Sequence, residues 1–132
     1  LASRSFGLYT LQAAIAAVHS EASTADRTDW KQICELYDIL LRVEPSPVVA
    51  LNRAVAVAIR DGAAAGLAIV EQILDQGDLE NYYLAHASRA DFHRRLGNTE
   101  QAILAYKRAL TLARQEPVRR FLERRLEELV DR

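Results

Sequence analysis

The sequence predicts an all-α protein, built as a right-handed stack of antiparallel helical hairpins with about seven helices. Two matching blocks support this fold, because Ala54 and Gly66 have counterparts in Ala90 and Ala102 at a constant offset of 36 residues. Such an offset is typical of stacked helical hairpins. Half of the residues are apolar and only 7% are aromatic, a composition that favours helices over strands. We therefore expect residues 1–132 to form one helical domain.

The predicted helices are separated by residues that start or stop helices. Asp29 can cap the second helix, and Ser46 can cap the third, whose first position suits Pro47 because no backbone donor is needed there. Gly62 and Gly97 mark the corners after the third and fifth helices, where a left-handed residue can end a helix. In chain order the predicted helices cover residues 8–20, 30–44, 47–60, 63–75, 79–96, 101–113 and 117–130.

The last predicted helix has an apolar face and a charged face. Arg119 and Glu123, like Arg124 and Glu128, are four residues apart, which allows ion pairs on the helix surface. One solvent-exposed face and one buried face are typical of the terminal helix of a stack. The apolar stripe consists of Val118, Phe121, Leu122, Leu126, Leu129 and Val130.

The spacing of small residues resembles that of the tetratricopeptide repeat. Ala102, Tyr106 and Ala109 reproduce the small-aromatic-alanine spacing of the second helix of that repeat. A weaker copy places Gly66 and Val70 at the positions of Ala102 and Tyr106. The alternative is a generic helical bundle with alanine-rich seams, which would enclose one closed centre.

Composition limits the compartment and the classes of partner. The net charge is −1, from 17 basic and 18 acidic residues, so no overall positive field attracts DNA or an anionic membrane. Cys34 is the only cysteine, which excludes an internal disulfide and favours a reducing compartment, so we expect a cytoplasmic protein. Since the chain starts at Leu1 and contains no methionine, we expect it to be part of a longer protein.

The sequence predicts no catalytic residue, metal site or cofactor. His86 and His93 are seven residues apart, whereas zinc ligands on one helix usually lie four apart. The sequence lacks the HExxH and GxSxG patterns, the Walker loop and the GxGxxG motif. We therefore expect a binding module rather than an enzyme.

Five polar residues within apolar helices are the candidate binding site. The first helix of each hairpin lines the concave side of a stack, so these side chains could project into one groove and accept the carboxylates of a peptide. The alternative for each of them is a structural ion pair, for instance between Arg89 and the neighbourhood of Asp91, or a solvated helix face. The candidates are Asn52, Arg53, His86, Arg89 and Arg94.

Several short stretches of the chain together carry a family resemblance, and the most specific is residues 45–57, PSPVVALNRAVAV. The others are residues 11–19 (LQAAIAAVH), 28–30 (TDW), 36–37 (LY), 86–90 (HASRA), 95–97 (RLG), 105–110 (AYKRAL) and 120–126 (RFLERRL). With these stretches, nearly the whole chain resembles the C-terminal extension of a group of extracytoplasmic-function RNA polymerase sigma factors.

The resemblance implies a tetratricopeptide-like regulatory domain of a bacterial sigma factor. The domains that bind core polymerase and promoter DNA would lie upstream, outside this chain. The expected partners are the upstream sigma domains of the same protein, core RNA polymerase or a signalling protein, with no direct DNA binding by this part. Two alternatives remain open: a small-molecule sensor using His19, His86 and Arg89, or a peptide-binding module unrelated to transcription.

Overall fold

The computed structural model describes residues 29–130, and this part of the chain is all-helical. It holds six helices rather than about seven, because the predicted helix 8–20 lies outside the described residues. None of the six is long and apolar enough to cross a lipid bilayer. The helices are α1 (Trp30–Val43), α2 (Pro47–Asp61), α3 (Ala63–Asp75), α4 (Tyr83–Arg95), α5 (Thr99–Leu112) and α6 (Glu116–Val130).

Both predicted N-terminal caps are confirmed. The carboxylate of Asp29 accepts a hydrogen bond from the backbone N–H of Gln32 at 3.0 Å, which caps α1. The hydroxyl of Ser46 accepts from the N–H of Val49 at 3.4 Å, and Pro47 begins α2. Each side chain satisfies a donor that the first turn of a helix leaves without an intrahelical partner.

Glycines form the corners between helices. Gly62, between α2 and α3, has φ 105°, and Gly97, after α4, has φ 81°. Around Gly97 the N–H of Asn98 donates to the carbonyl of His93 at 2.9 Å, and the N–H of Gly97 donates to the backbone carbonyl of Arg94 at 3.1 Å. This paired pattern is the Schellman motif, which needs a left-handed residue and so favours glycine.

The predicted start of α4 is wrong by four residues. Leu79 has φ 61°, a left-handed conformation that is incompatible with the interior of a helix, and residues 76–81 form turns. The helix therefore begins at Tyr83 rather than at residue 79. The other differences are small, since α5 starts two residues earlier than predicted and α6 begins at Glu116, one residue before Pro117.

Consecutive helices run antiparallel. Arg53 on α2 bonds Asp38 on α1 at 2.7 Å, and these residues lie at similar distances in sequence from the intervening turn. Arg89 on α4 bonds Glu71 on α3 at 2.6 Å in the same symmetric manner. Within the described range, extensive packing joins only helices that follow one another in the chain.

The buried core is divided into three clusters that follow the chain. The first joins α1 and α2, the second joins α2, α3 and α4, and the third joins α4, α5 and α6. Each cluster therefore belongs to helices that are neighbours in the chain. The fully buried side chains of largest volume include Ile33, Leu40, Val70, Tyr106 and Leu122.

Burial repeats with the offset seen in the sequence. Ala54 and Ala90 are both fully buried, and the same holds for Val70 and Tyr106. At Gly66 the backbones approach so closely that an added Cβ would lie 2.6 Å from the Cβ of Ala58. Small residues therefore set the distance between α2 and α3, as the sequence predicted.

The charged face of α6 makes different contacts from those predicted. Arg119 does not pair with Glu123; its Nη1 donates to the carbonyls of Leu110 at 2.8 Å and Ala113 at 3.0 Å. These carbonyls end α5 and have no intrahelical partner, so Arg119 caps that helix. The predicted pair Arg124–Glu128 is also wrong, because Glu128 binds Arg125 at 3.1 Å instead.

Candidate interaction groove

Three hollows lie on the surface formed by residues 29–130, and two of them separate helices that are not consecutive in the chain. The first, of about 320 Å³, separates the N-terminal halves of α4 and α6. Its lining is almost entirely apolar, so water inside it gains few hydrogen bonds and is readily displaced. The lining residues are Tyr83, Leu84, Ala87, Pro117, Val118, Phe121 and Leu122.

The second hollow, of about 230 Å³, separates the C-terminal halves of α2 and α4. It shares Ala87 with the first hollow, so both follow the same face of α4. The residues around it are Val55, Ile59, Ala87, Ser88, Asp91, Phe92 and Arg95.

The third hollow, of about 290 Å³, extends the first beyond the start of α4. It shares Tyr83 and Val118 with the first hollow and adds Leu112, Arg114 and Gln115. The three hollows are thus linked by shared lining residues, and we call them together the α2–α4–α6 groove.

The groove is apolar because α2, α4 and α6 carry hydrophobic residues outside their buried faces. On α2, Val55 and Ile59 are 40% and 42% exposed, although Ala54 and Ala58 on another side of the helix are buried. On α4 and α6, Leu84 and Phe121 are 38% and 48% exposed. Apolar side chains that gather in one surface depression are typical of a binding site for another molecule.

The structure places two of the five candidate residues on α2. Asn52 is exposed and lies one helical turn before Val55, so it is at the edge of the groove. Arg53 points instead toward α1, where its Nε donates to Asp38 at 2.7 Å.

The other three candidates lie on α4 and are occupied by contacts within the chain. His86 Nε2 contacts the carbonyl oxygen of Glu80 at 2.7 Å. Arg89 donates to Glu71 at 2.6 Å, rather than pairing near Asp91 as the structural alternative expected. Arg94 donates to Asp91 at 2.6 Å.

These placements do not bring the five candidates together in one site. None of them lines any of the three hollows. The ion pairs of Arg53, Arg89 and Arg94 connect helices or turns of a helix, which corresponds to the structural alternative. Binding of an outside partner by these residues stays a prediction.

A charged cluster borders the second hollow and continues toward α5. Asp91 binds both Arg94, at 2.6 Å, and Arg95, at 2.9 Å. The hydrogen bond that Arg94 donates to the carboxylate of Asp91 holds the pKa of Arg94 above its ordinary value. Burial raises the pKa of the Tyr106 phenol, and the neighbouring Arg94 guanidinium partly opposes this shift.

Arginines outnumber carboxylates beside both ends of the groove, when Arg94, which does not line the second hollow, is counted together with Arg95. At one end, Asp91 is the only carboxylate among the lining residues of the second hollow, and it is shared by Arg94 and Arg95. At the other end, Arg114 is exposed and forms no ion pair with any residue between 29 and 130. The middle of the groove is apolar, so an apolar stretch lies between two charged ends.

Sequence reasoning missed most of the residues that form the groove. It placed Phe121 in the buried stripe of the last helix, but Phe121 is 48% exposed and Val130 is 64% exposed. The sequence signal that could have predicted the groove is the presence of apolar residues on more than one side of a helix. On α2, Val55 and Ile59 lie on a different side of the helix from Ala54 and Ala58, which are buried.

Comparison with known proteins gives one informative match. The chain is 42% identical over 123 residues to an uncharacterized protein of Rhizobium meliloti (strain 1021). The match covers 93% of this chain but 29% of that protein, so the chain spans less than a third of the length of this relative. No protein-family profile matches the chain. No solved structure matches it either.

Proposed function

We propose that this chain is a tetratricopeptide-like regulatory domain of an extracytoplasmic-function RNA polymerase sigma factor. In this proposal it is cytoplasmic and controls transcription initiation by binding a protein partner in the α2–α4–α6 groove. The observation that carries the proposal is the groove itself, with exposed apolar side chains along three helices. The link to sigma factors rests on the sequence resemblance, which covers residues 45–57 most specifically.

The tetratricopeptide-like stack is supported by how the helices are arranged. The hairpins α2–α3 and α4–α5 repeat the same buried positions at an offset of 36 residues, as at Ala54 and Ala90. The first hollow joins the N-terminal halves of α4 and α6, and the second joins the C-terminal halves of α2 and α4. Both observations favour parallel first helices lining one concave side, with α6 as the terminal helix.

The shape of the hollows favours a protein segment over a small ligand. All three are open to solvent and share lining residues, whereas a sensor for a small molecule usually buries most of its ligand. The partner in this proposal is the upstream sigma domains, core polymerase or a signalling protein. The chain itself makes no direct contact with DNA in this scheme, because its net charge is −1 and its basic residues are interleaved with acidic ones.

A transcription assay with the full-length protein tests this function. We expect removal of residues 8–130 to change promoter-specific transcription or its response to signal. A single substitution in the groove, Phe121→Asp, should reproduce the effect, because it places a charge in the first hollow.

The matched control is Leu104→Asp on α5. Leu104 is 66% exposed and lies outside the three hollows, so the same change in chemistry should leave transcription unaltered. Circular dichroism must show that both variants keep their helices. If deletion of residues 8–130 leaves both basal activity and signal response unchanged, the proposed function is wrong.

A further inference from the structure

We infer that the occupant of the α2–α4–α6 groove is an acidic amphipathic segment of a partner protein, with bulky apolar residues bracketed by carboxylates. This inference rests on the proposed function, because it names the chemistry of the partner at that site. The first reason is the apolar middle of the groove, where Leu84, Val118 and Phe121 need apolar side chains opposite them.

The second reason is the charge at the two ends. The side chain of Arg95 is 48% exposed, and its acidic partner Asp91 also binds Arg94. Arg114, at the other end, has no ion-pair partner among residues 29–130. A segment with carboxylates on both sides of its apolar residues would therefore complement the groove, whereas a basic segment would be repelled.

The spacing of the carboxylates follows from the length of α4. Arg95 borders the second hollow and Tyr83 borders the third, together with Arg114. The twelve residues from Tyr83 to Arg95 span about 18 Å along a helix at 1.5 Å per residue. A helical partner would therefore place its carboxylates about twelve residues apart, and an extended partner would place them about five or six residues apart.

Arg125 is not available for the same role. It lines none of the three hollows, and its guanidinium lies over the ring of Phe121 at 5.3 Å and binds Glu128 at 3.1 Å. Arg125 instead supports the ring that forms one wall of the first hollow. This leaves Arg95 and Arg114 as the residues that would select an acidic partner.

Selection from a displayed library of random 16-residue peptides, with the 132-residue chain as bait, tests the inference. We expect the selected peptides to carry leucine, isoleucine or aromatic residues flanked by Asp or Glu at one of the two spacings. Synthetic versions should bind more weakly as salt is raised from 50 mM to 500 mM, because exposed ion pairs are screened. Replacing their acidic residues with lysine should abolish binding.

The double variant Arg95→Glu, Arg114→Glu is the sharpest probe. It should lower the affinity for the selected peptides by about tenfold or more, since two favourable exposed ion pairs become two repulsive ones. It should also recover binding by the lysine versions of the same peptides. The control Arg120→Glu changes an arginine on α6 that is exposed and lines none of the hollows, and it should have no such effect.

Each other outcome overturns the inference in a different way. Peptides that are lost on Phe121→Asp but are indifferent to the Arg95 and Arg114 changes would show an apolar groove without acidic selectivity, which leaves the proposed function standing. Peptides that still bind the Phe121→Asp variant would show that their binding site lies outside the groove. A selection that yields no binders would show that the groove does not bind such a segment. Self-association of the chain that Phe121→Asp abolishes, measured by sedimentation, would make a second copy the occupant instead.

Discussion

Gly66→Ala is expected to destabilise this protein, although alanine is normally the better residue in a helix. Gly66 lies on the face of α3 that packs against α2, where the backbones are closest. The added methyl group would lie 2.6 Å from the Cβ of Ala58 and 2.9 Å from the carbonyl oxygen of Ala54. One of these neighbours is backbone, so the strain cannot be relieved by rotating a flexible side chain.

The size of the effect follows from two opposing contributions. Replacing glycine by alanine in a helix interior gains about 1 kcal/mol. Relieving the contact requires α2 and α3 to separate by about 1 Å, and overpacking of this kind costs about 1–3 kcal/mol, more where backbone must move. We expect a net loss of about 1–2 kcal/mol in the free energy of unfolding, which lowers Tm by roughly 3–8 °C.

Urea and thermal unfolding of purified variants measure this effect, with two controls. Ala64→Gly changes an exposed position of the same helix and should cost about 1 kcal/mol from helix propensity alone. Ala102→Gly changes the corresponding buried position of the second hairpin and should cost about 1–2 kcal/mol, because a buried methyl group is also lost. An increase in stability on Gly66→Ala would refute the close approach of α2 and α3.

Three further predictions concern the core and the ion pairs. Tyr106→Phe should change stability by less than about 1 kcal/mol, because the buried hydroxyl makes no hydrogen bond of good geometry within residues 29–130, whereas Tyr106→Ala should cost about 3–5 kcal/mol. Burial raises the pKa of the Cys34 thiol above its ordinary value of 9.0, and the pKa of the Tyr37 and Tyr106 phenols above 10.0. Their contribution to the free energy of unfolding is therefore complete at pH values below these ordinary pKa values. The free energy of unfolding should therefore fall as pH rises above about 9, and less steeply in Tyr106→Phe. A double-mutant cycle on Arg89 and Glu71, read by urea unfolding, should give a coupling of about 0.5–1 kcal/mol, and zero coupling would contradict the 2.6 Å ion pair.

The features predicted correctly from the sequence are those determined by local chemistry. The caps at Asp29 and Ser46 and the glycine corners at Gly62 and Gly97 each depend on one residue and its nearest neighbours. The buried small residues were found because they recur at a fixed offset. Such signals do not depend on knowing which helices meet in space.

The groove and the ion pairs depend on contacts between distant residues, and the sequence does not determine these directly. Arg89 was placed near Asp91 because they are close in sequence, but Glu71, eighteen residues away, is its partner. Leu79 looks like an ordinary helix-forming residue, but it has a left-handed backbone with φ 61° within the turns of residues 76–81. Apolar residues on a second face, such as Phe121, have the same sequence pattern as core residues.

The packing of small residues in the core and the shape of the groove are physically coupled. Gly66 faces the ring of Phe92, whose nearest atom would lie 3.1 Å from an added Cβ, and Phe92 also lines the second hollow. A methyl group at residue 66 would therefore push both Phe92 and α2 away from α3 and reshape the hollow between α2 and α4. Gly66→Ala should weaken groove binding even where the protein stays folded, while Ala64→Gly should not. Unchanged affinity in folded Gly66→Ala would mean that the partner does not use the second hollow.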